Sequence, residues 1–226
     1  MAYGPAPESA ALANDFLDKH SRKFQLYING EWKKPNSGKY FDSINPSTTE
    51  KLGRIAEANT KDVNQAVAAA KKALPEWVEI GTHQRARYLY AIARQIQKHS
   101  RLFAVLESLD NGKPIWLAKM VDIPRASSNF SFFAQAITQF STSAHEMTDA
   151  INYTLRQPLG VVGTISPWNL PLYLFTWKIA PALASGNTVI AKPSEVTPMS
   201  AYLLSDLCIQ AGLPPGVLNI IHGDGV

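Results

Sequence analysis

From residue 160 onward, short β-branched apolar runs alternate with longer helical stretches. GVVGTI, TVIAK and VLNIIHG are the runs. LYLFTWKIAPALASGN and MSAYLLSDLCIQAG lie between them and are ended by Gly186 and Gly212. Runs of this length separated by helices predict three buried parallel strands joined by crossover helices, an α/β arrangement. In an open sheet of this kind, ligands bind beyond the carboxyl ends of the strands.

The first 142 residues follow other periods. A short helix is expected over residues 10–19, within an N-terminal extension of residues 1–22. LYINGEWKKP places Asn29-Gly30 between two strand-like runs, and Asn-Gly tolerates the positive φ of a tight hairpin. FDSINPSTTEKLGRIAEA predicts short, exposed strand and turn. Thr60 is a candidate cap for a helix carrying Val63, Val67, Ala70 and Leu74 at helical spacing. Thr82 is a candidate cap for a second, with Leu89, Ile92, Ala93 and Ile96 on one face. A third helix, over residues 100–109, stops at Asn111-Gly112. A fourth starts near Pro114 and continues through FSFFAQAITQF with a kink expected at Pro124. Residues 143–158 then change character: INYTLRQ alternates apolar and polar positions, as an exposed strand or protruding arm does.

Composition narrows the class. The chain has 226 residues, 46% of them apolar, enough for a packed core. Its 22 basic residues are spread over helix faces and leave a net charge of only +4, which argues against nucleic acid as a partner. The start lacks a secretory pattern and no window reaches bilayer-spanning length, so no membrane association is expected. A single cysteine, Cys208, rules out an internal disulfide and suits a cytoplasmic setting. It lies mid-helix among Leu204, Leu207 and Ala211, where a free cysteine packs as an inert small hydrophobe. The five histidines show no metal-ligand spacing with it, so no metal is expected.

The predicted strand ends carry the chemistry. The first gives Ser166-Pro167-Trp168-Asn169, the second Lys192-Pro193-Ser194-Glu195, the third His222-Gly223-Asp224-Gly225. A lysine donor beside a glutamate acceptor can hydrogen-bond a ribose diol, and the carboxylate repels a 2′-phosphate, which favours NAD over NADP. Plainer roles exist for each residue. Glu195 can complement the dipole of the next helix, and Lys192 can be a solvated strand end. Asn169 can be a helix cap with Pro171 in the first turn. No GxGxxG is present.

TISPWNLPLYLFTWKIAPALASGNTVIAKPSEVTP resembles the signature stretch of the aldehyde dehydrogenase superfamily, with PWN, APALA-GN and KPSE-TP in order and spacing. INGEW, INPST, VAAAKKALPEW and LDNGKPI are similar to its N-terminal half. The resemblance implies a Rossmann-like doubly wound parallel sheet, truncated, with N-terminal helices and a β arm. It implies an NAD-binding domain over residues 23–142 and 159–226, incomplete because the chain ends at Val226. Residues 143–158 correspond to an arm for homodimer or homotetramer assembly. The catalytic domain, with its cysteine nucleophile and glutamate base, is expected to follow and to be absent here.

By the same resemblance, Asn169 corresponds to the oxyanion-hole asparagine, and Lys192 and Glu195 to the pair on the adenosine ribose. Ile165, Ser166, Pro167 and Trp168 correspond to the wall along the cofactor, and Gly225 to a glycine beside the adenine. Tyr173, Leu174 and Trp177 correspond to the tunnel of a small-molecule aldehyde substrate. Residues 122–226 are most similar to the aminomuconate and hydroxymuconic semialdehyde dehydrogenases. Arg125 is there a candidate grip for a substrate carboxylate, or else a helix-surface arginine in an ion pair. YGPAPES and KHSRLFAVLESLDNGKPI are similar to a divergent branch that includes two-module and non-catalytic members. Two readings follow: the N-terminal portion of an aldehyde-oxidising enzyme, inactive by itself, or a non-catalytic remnant that pairs with full-length subunits. A sheet cut after its third strand is expected to expose an apolar edge and to be aggregation-prone alone.

Overall fold

The computed structural model describes residues 9–224. Gly225, assigned above to the adenine, lies outside the described residues, as do residues 1–8 of the N-terminal extension.

The chain opens with α1 (Ala11–Lys19), β1 (Lys23–Phe24), β2 (Leu26–Ile28), β3 (Glu31–Lys33), β4 (Tyr40–Ile44) and β5 (Lys51–Ala56). The helices α2 (Thr60–Glu79), α3 (Gly81–Lys98) and α4 (Ser100–Asn111) follow. A single turn, α5 (Ile115–Leu117), widens into a π-helical turn (Ala118–Asp122) and then narrows into α6 (Ile123–Gln139). Next come β6 (Ala144–Glu146), β7 (Ile151–Tyr153), β8 (Val161–Ile165), α7 (Pro171–Ala184), β9 (Thr188–Lys192), α8 (Met199–Gln210) and β10 (Leu218–Ile220).

The main sheet runs β3-β2-β10-β9-β8. β8, β9 and β10 are parallel, as their pattern predicts. The hairpin β2–β3 turns at Asn29 and Gly30, both at positive φ, and β2 adds antiparallel to β10. Helix α2 packs on one face of this sheet, α7 and α8 on the other, so the sheet is doubly wound. Helices α3 and α6 then cover α7, and α4 lies against α8.

This placement corrects the expected edge. β10 is not bare, because β2 pairs with it. Among the described residues, the unpaired side of the parallel set belongs to β8, which is half-exposed along its length rather than buried. The segment over residues 40–56 also differs from its expected exposure. β5 sits between β1 and β4 and buries Leu52, Ile55 and Ala56 against the helical layer and α2.

Helix α2 shows why two local expectations shift. Its cap is Asn59 and not Thr60: Asn59 Oδ1 accepts from the Lys61 and Asp62 amides, and Asp62 Oδ2 accepts from the Asn59 amide. Its buried stripe is Asp62, Ala66, Ala70 and Trp77, while Val63 is exposed. The helix lies so close to the sheet that a Cβ at Gly216 would meet the Ala69 carbonyl at 2.7 Å. Alanines fit that gap and valines do not. Thr82 caps nothing, since α3 follows α2 after Ile80 with no side-chain cap. Leu89, Ile92, Ala93 and Ile96 are buried as expected. α4 ends at Gly112 with φ +79°, as Asn111-Gly112 predicts. The break near Pro124 takes the form of the π-helical turn just before it.

β6 and β7 form an isolated hairpin with every strand residue exposed, Ile151 at 72%. Among the described residues, no helix is long and apolar enough to cross a membrane.

Candidate active and cofactor site

The three parallel strands end on one side of the sheet, so the loops after β8, β9 and β10 converge there. Ile165 pairs in register with Lys192, and the Ser166 amide donates to the Lys192 carbonyl at 3.0 Å. The loop over residues 166–170 therefore lies directly beside the lysine. Ile165, Pro167 and Trp168 are exposed along that side, Ile165 at 69% and Trp168 at 59%. Ser166 is buried, and its Oγ has no partner among the described residues.

Lys192 Nζ stands 3.3 Å from Glu195 Oε2 and also donates to the Pro193 carbonyl at 3.2 Å. Glu195 keeps 42% of its side chain open. Its own backbone N–H, and then the Lys192 charge, hold its carboxyl below the usual range. The result is an ionised carboxylate beside an ammonium at the mouth of the sheet, able to accept and donate toward a diol. Behind them His222 is buried, with neither ring nitrogen partnered among the described residues. Burial, and secondarily the Lys192 charge, push its pKa down to about 3, so the ring is neutral.

Of the plainer roles, the Asn169 helix cap does not match the geometry, and Glu195 accepts no amide of the first turn of α8 among the described residues. The acceptor at the start of α8 is Asp110, whose Oδ2 takes the Met199 amide at 2.9 Å. Asn169 caps nothing: α7 has no side-chain cap of its own, and Glu107 Oε2 takes the Leu172 amide at 3.2 Å. The Asn169 side chain is exposed and makes no hydrogen bond with the described residues.

Tyr173, Leu174 and Trp177 lie on α7, half-buried to exposed. Asn129 Nδ2 joins α6 to them through the Tyr173 carbonyl at 3.1 Å and Thr176 Oγ1 at 3.0 Å. Phe133 meets Trp177 ring to ring at 6.0 Å. Arg125 is exposed, one helical turn before Asn129 and two before Phe133, and so shares the α6 face that meets α7. None of the described residues forms an ion pair with it, so the structure gives the ion-pair role no partner. Cys208 is buried, and burial pushes its thiol up to about 12, which keeps it unreactive.

A second group beneath this site escaped the sequence reading. Lys113 Nζ bonds Asp122 Oδ2, Glu107 Oε1 at 3.3 Å and the Asn169 carbonyl at 3.2 Å, with all three side chains buried. Asn111 Nδ2 donates to the Trp168 carbonyl at 2.8 Å. Asp110 also accepts from Ser43 Oγ at 2.7 Å. Burial pushes Glu107 up to about 8, against the pull of Lys113, and Asp110 up to about 7. The signal was present in α4: two carboxylates three residues apart on an otherwise apolar helix face. Lys178 was also passed over, although its Nζ donates to the Ile165 carbonyl on the exposed side of the loop.

The aldehyde dehydrogenase family profile matches residues 32–226. The chain belongs to the aldehyde dehydrogenase family. It is 46% identical over 201 residues to a 2-aminomuconic semialdehyde dehydrogenase of Danio rerio, covering 88% of this chain and 41% of the relative. It is 43% identical over 210 residues to a 2-hydroxymuconic semialdehyde dehydrogenase of Pseudomonas sp. strain CF600, covering 90% of this chain and 43% of the relative. A Bacillus cereus aldehyde dehydrogenase solved with NAD+ superposes with a TM-score of 0.89 at 37% identity, covering 98% of this chain and 44% of that one. The chain thus spans about two-fifths of the aldehyde dehydrogenases it matches, and its fold is theirs.

Proposed function

We propose that this chain forms the cofactor floor and one oxyanion donor of an NAD-dependent aldehyde dehydrogenase that oxidises an aldehyde to a carboxylic acid. The observation that carries the proposal is the Lys192–Glu195 pair, 3.3 Å apart, beside the loop that presents Asn169. In this reading Lys192 donates to one hydroxyl of the adenosine ribose and Glu195 accepts from it. The Glu195 carboxylate disfavours a 2′-phosphate, hence NAD rather than NADP. The unpartnered Ser166 Oγ and the exposed Ile165, Pro167 and Trp168 suit a wall along the dinucleotide. NAD supplies the hydride acceptor when bound.

The chain's own contribution to the chemistry is electrostatic. Attack of a thiolate on the aldehyde carbon turns the carbonyl oxygen into an oxyanion. The thiolate comes from the catalytic portion of the subunit, as does the base that later activates water. The free Asn169 carboxamide donates to that oxygen as its charge develops. Tyr173, Leu174 and Trp177 line the approach of the aldehyde. The names of the relatives favour a semialdehyde of the muconate type, and Arg125, exposed and without an ion-pair partner among the described residues, would hold its carboxylate. The exposed β6–β7 hairpin, apolar at Ile151 and Tyr153, is the arm through which subunits would pair as a homodimer or homotetramer in the cytoplasm.

Asn169→Ala in the intact subunit tests the oxyanion role. The expected result is a fall in kcat of about 10²–10³-fold with KM little changed. An unchanged kcat would overturn it.

A further inference from the structure

Both peptide planes that flank the Asn169 Cα are held by one short segment, residues 111–113. Asn111 Nδ2 binds the carbonyl of the plane before it, at Trp168, and Lys113 Nζ binds the carbonyl of the plane after it, at Asn169 itself. Two residues on, Glu107 Oε2 takes the Leu172 amide. Lys113 is itself fixed by Glu107 and Asp122 in a buried setting. All of these grips issue from the carboxyl end of α4 and the turn after it, with Asp122 supplied by the π-helical turn. Holding two successive planes fixes φ and ψ at Asn169 and with them the direction of its Cβ. The side chain, which has no hydrogen-bond partner of its own among the described residues, depends on its backbone for aim.

We propose that Asn111 and Lys113 are positioning residues that aim the Asn169 carboxamide by clamping the two peptide planes on either side of it. The proposal rests on the reading of Asn169 as the oxyanion donor. The clamp itself needs no such reading. Both residues grip backbone carbonyls next to the Asn169 Cα and not the Asn169 side chain, so each acts through the backbone of Asn169.

The test has one arm for the clamp and one for its consequence. In this chain, the Asn169 and Leu170 backbone amides should be rigid, with NMR order parameters near about 0.85, and should drop below about 0.6 in Asn111→Ala and Lys113→Gln. Asn111→Ala leaves the buried charges intact and so keeps the test alive if Lys113→Gln fails to fold. Lys113→Arg, which keeps a cation and donors, should restore rigidity. In the intact subunit, Asn111→Ala should lower kcat about tenfold with KM unchanged, and should add little to the loss already caused by Asn169→Ala. Order parameters that stay high in both variants, or that are already low in the wild type, would overturn the clamp. Mobile amides with unchanged kcat, while Asn169→Ala loses activity, would overturn the positioning role and leave the oxyanion reading standing. If Asn169→Ala keeps full activity, the oxyanion reading fails and the positioning role with it.

Discussion

Glu107 and Asp110, three residues apart on α4, each accept the first-turn amide of a different helix: Leu172 at the start of α7 and Met199 at the start of α8. Those two helices begin where the loops after β8 and β9 end. Neither has a side-chain cap of its own. One helix end therefore sets the relative position of the proposed oxyanion loop and the proposed ribose loop. The i, i+3 spacing places both carboxylates on one face.

Removing Glu107 should be costly. Glu107→Ala leaves the buried Leu172 amide without an acceptor, while Lys113 keeps Asp122, so a loss of about 1–3 kcal/mol is expected. Urea unfolding of wild type and variant measures it. A loss under about 1 kcal/mol would show that water replaces the carboxylate freely.

The same two carboxyls set a pH dependence. Both have folded values above their ordinary ones, Glu107 about 8 against 4.5 and Asp110 about 7 against 3.8. A raised carboxyl contributes stability that is present below its unfolded value and lost as pH climbs to its folded value. His222 acts in the opposite sense. Its folded value of about 3 against 6.5 means that its contribution is present above 6.5 and lost as pH falls. Between about pH 6.5 and 8 His222 is silent, and the wild type should lose stability at up to about 1.4 kcal/mol per pH unit for each carboxyl still titrating. Glu107→Gln should flatten that fall in urea midpoints taken across the window.

The Asn59 cap should be worth less. Asn59→Ala removes the bonds to the Lys61 and Asp62 amides at the exposed end of α2 and should cost about 1 kcal/mol. Thr60→Ala should cost a few tenths at most, since Thr60 caps nothing. Thermal melts of the two variants separate them.

Arg125 makes a prediction about specificity. In the intact subunit, Arg125→Gln should raise KM about tenfold or more for a semialdehyde that carries a carboxylate, and leave an uncharged aldehyde unaffected. Equal effects on both would point to a structural role for the arginine.

The parallel set β8–β9–β10, the Asn29-Gly30 turn, the Gly112 stop and the exposed strand β7 were legible because each rests on local chemistry: run length, positive φ or strict alternation. The pairing of β2 with β10 was not, because it joins residues nearly the whole chain apart and leaves no local mark. On α2, Ala70 is buried and Val67 packs against the core as the periodicity predicts, but Val63 is exposed, and the close approach at Gly216 is filled by Ala69 and Ala73, which hydrophobicity alone does not single out. At the site, Lys192, Glu195 and Asn169 stood out as polar residues at strand ends. Glu107, Asp110 and Lys113 did not, because their partners are backbone groups on other elements. The charges in LESLDNGKP were visible, but their directions were not.

The most direct test of the central claim is calorimetric titration of NAD and NADP into this chain and its Lys192→Met and Glu195→Gln variants. The account predicts that NAD binds the wild type more tightly than NADP. It predicts a loss of NAD affinity of about tenfold in Lys192→Met, and a narrowed preference in Glu195→Gln as the repelling carboxylate is removed. Equal affinity for the two dinucleotides, unchanged by either substitution, would contradict it.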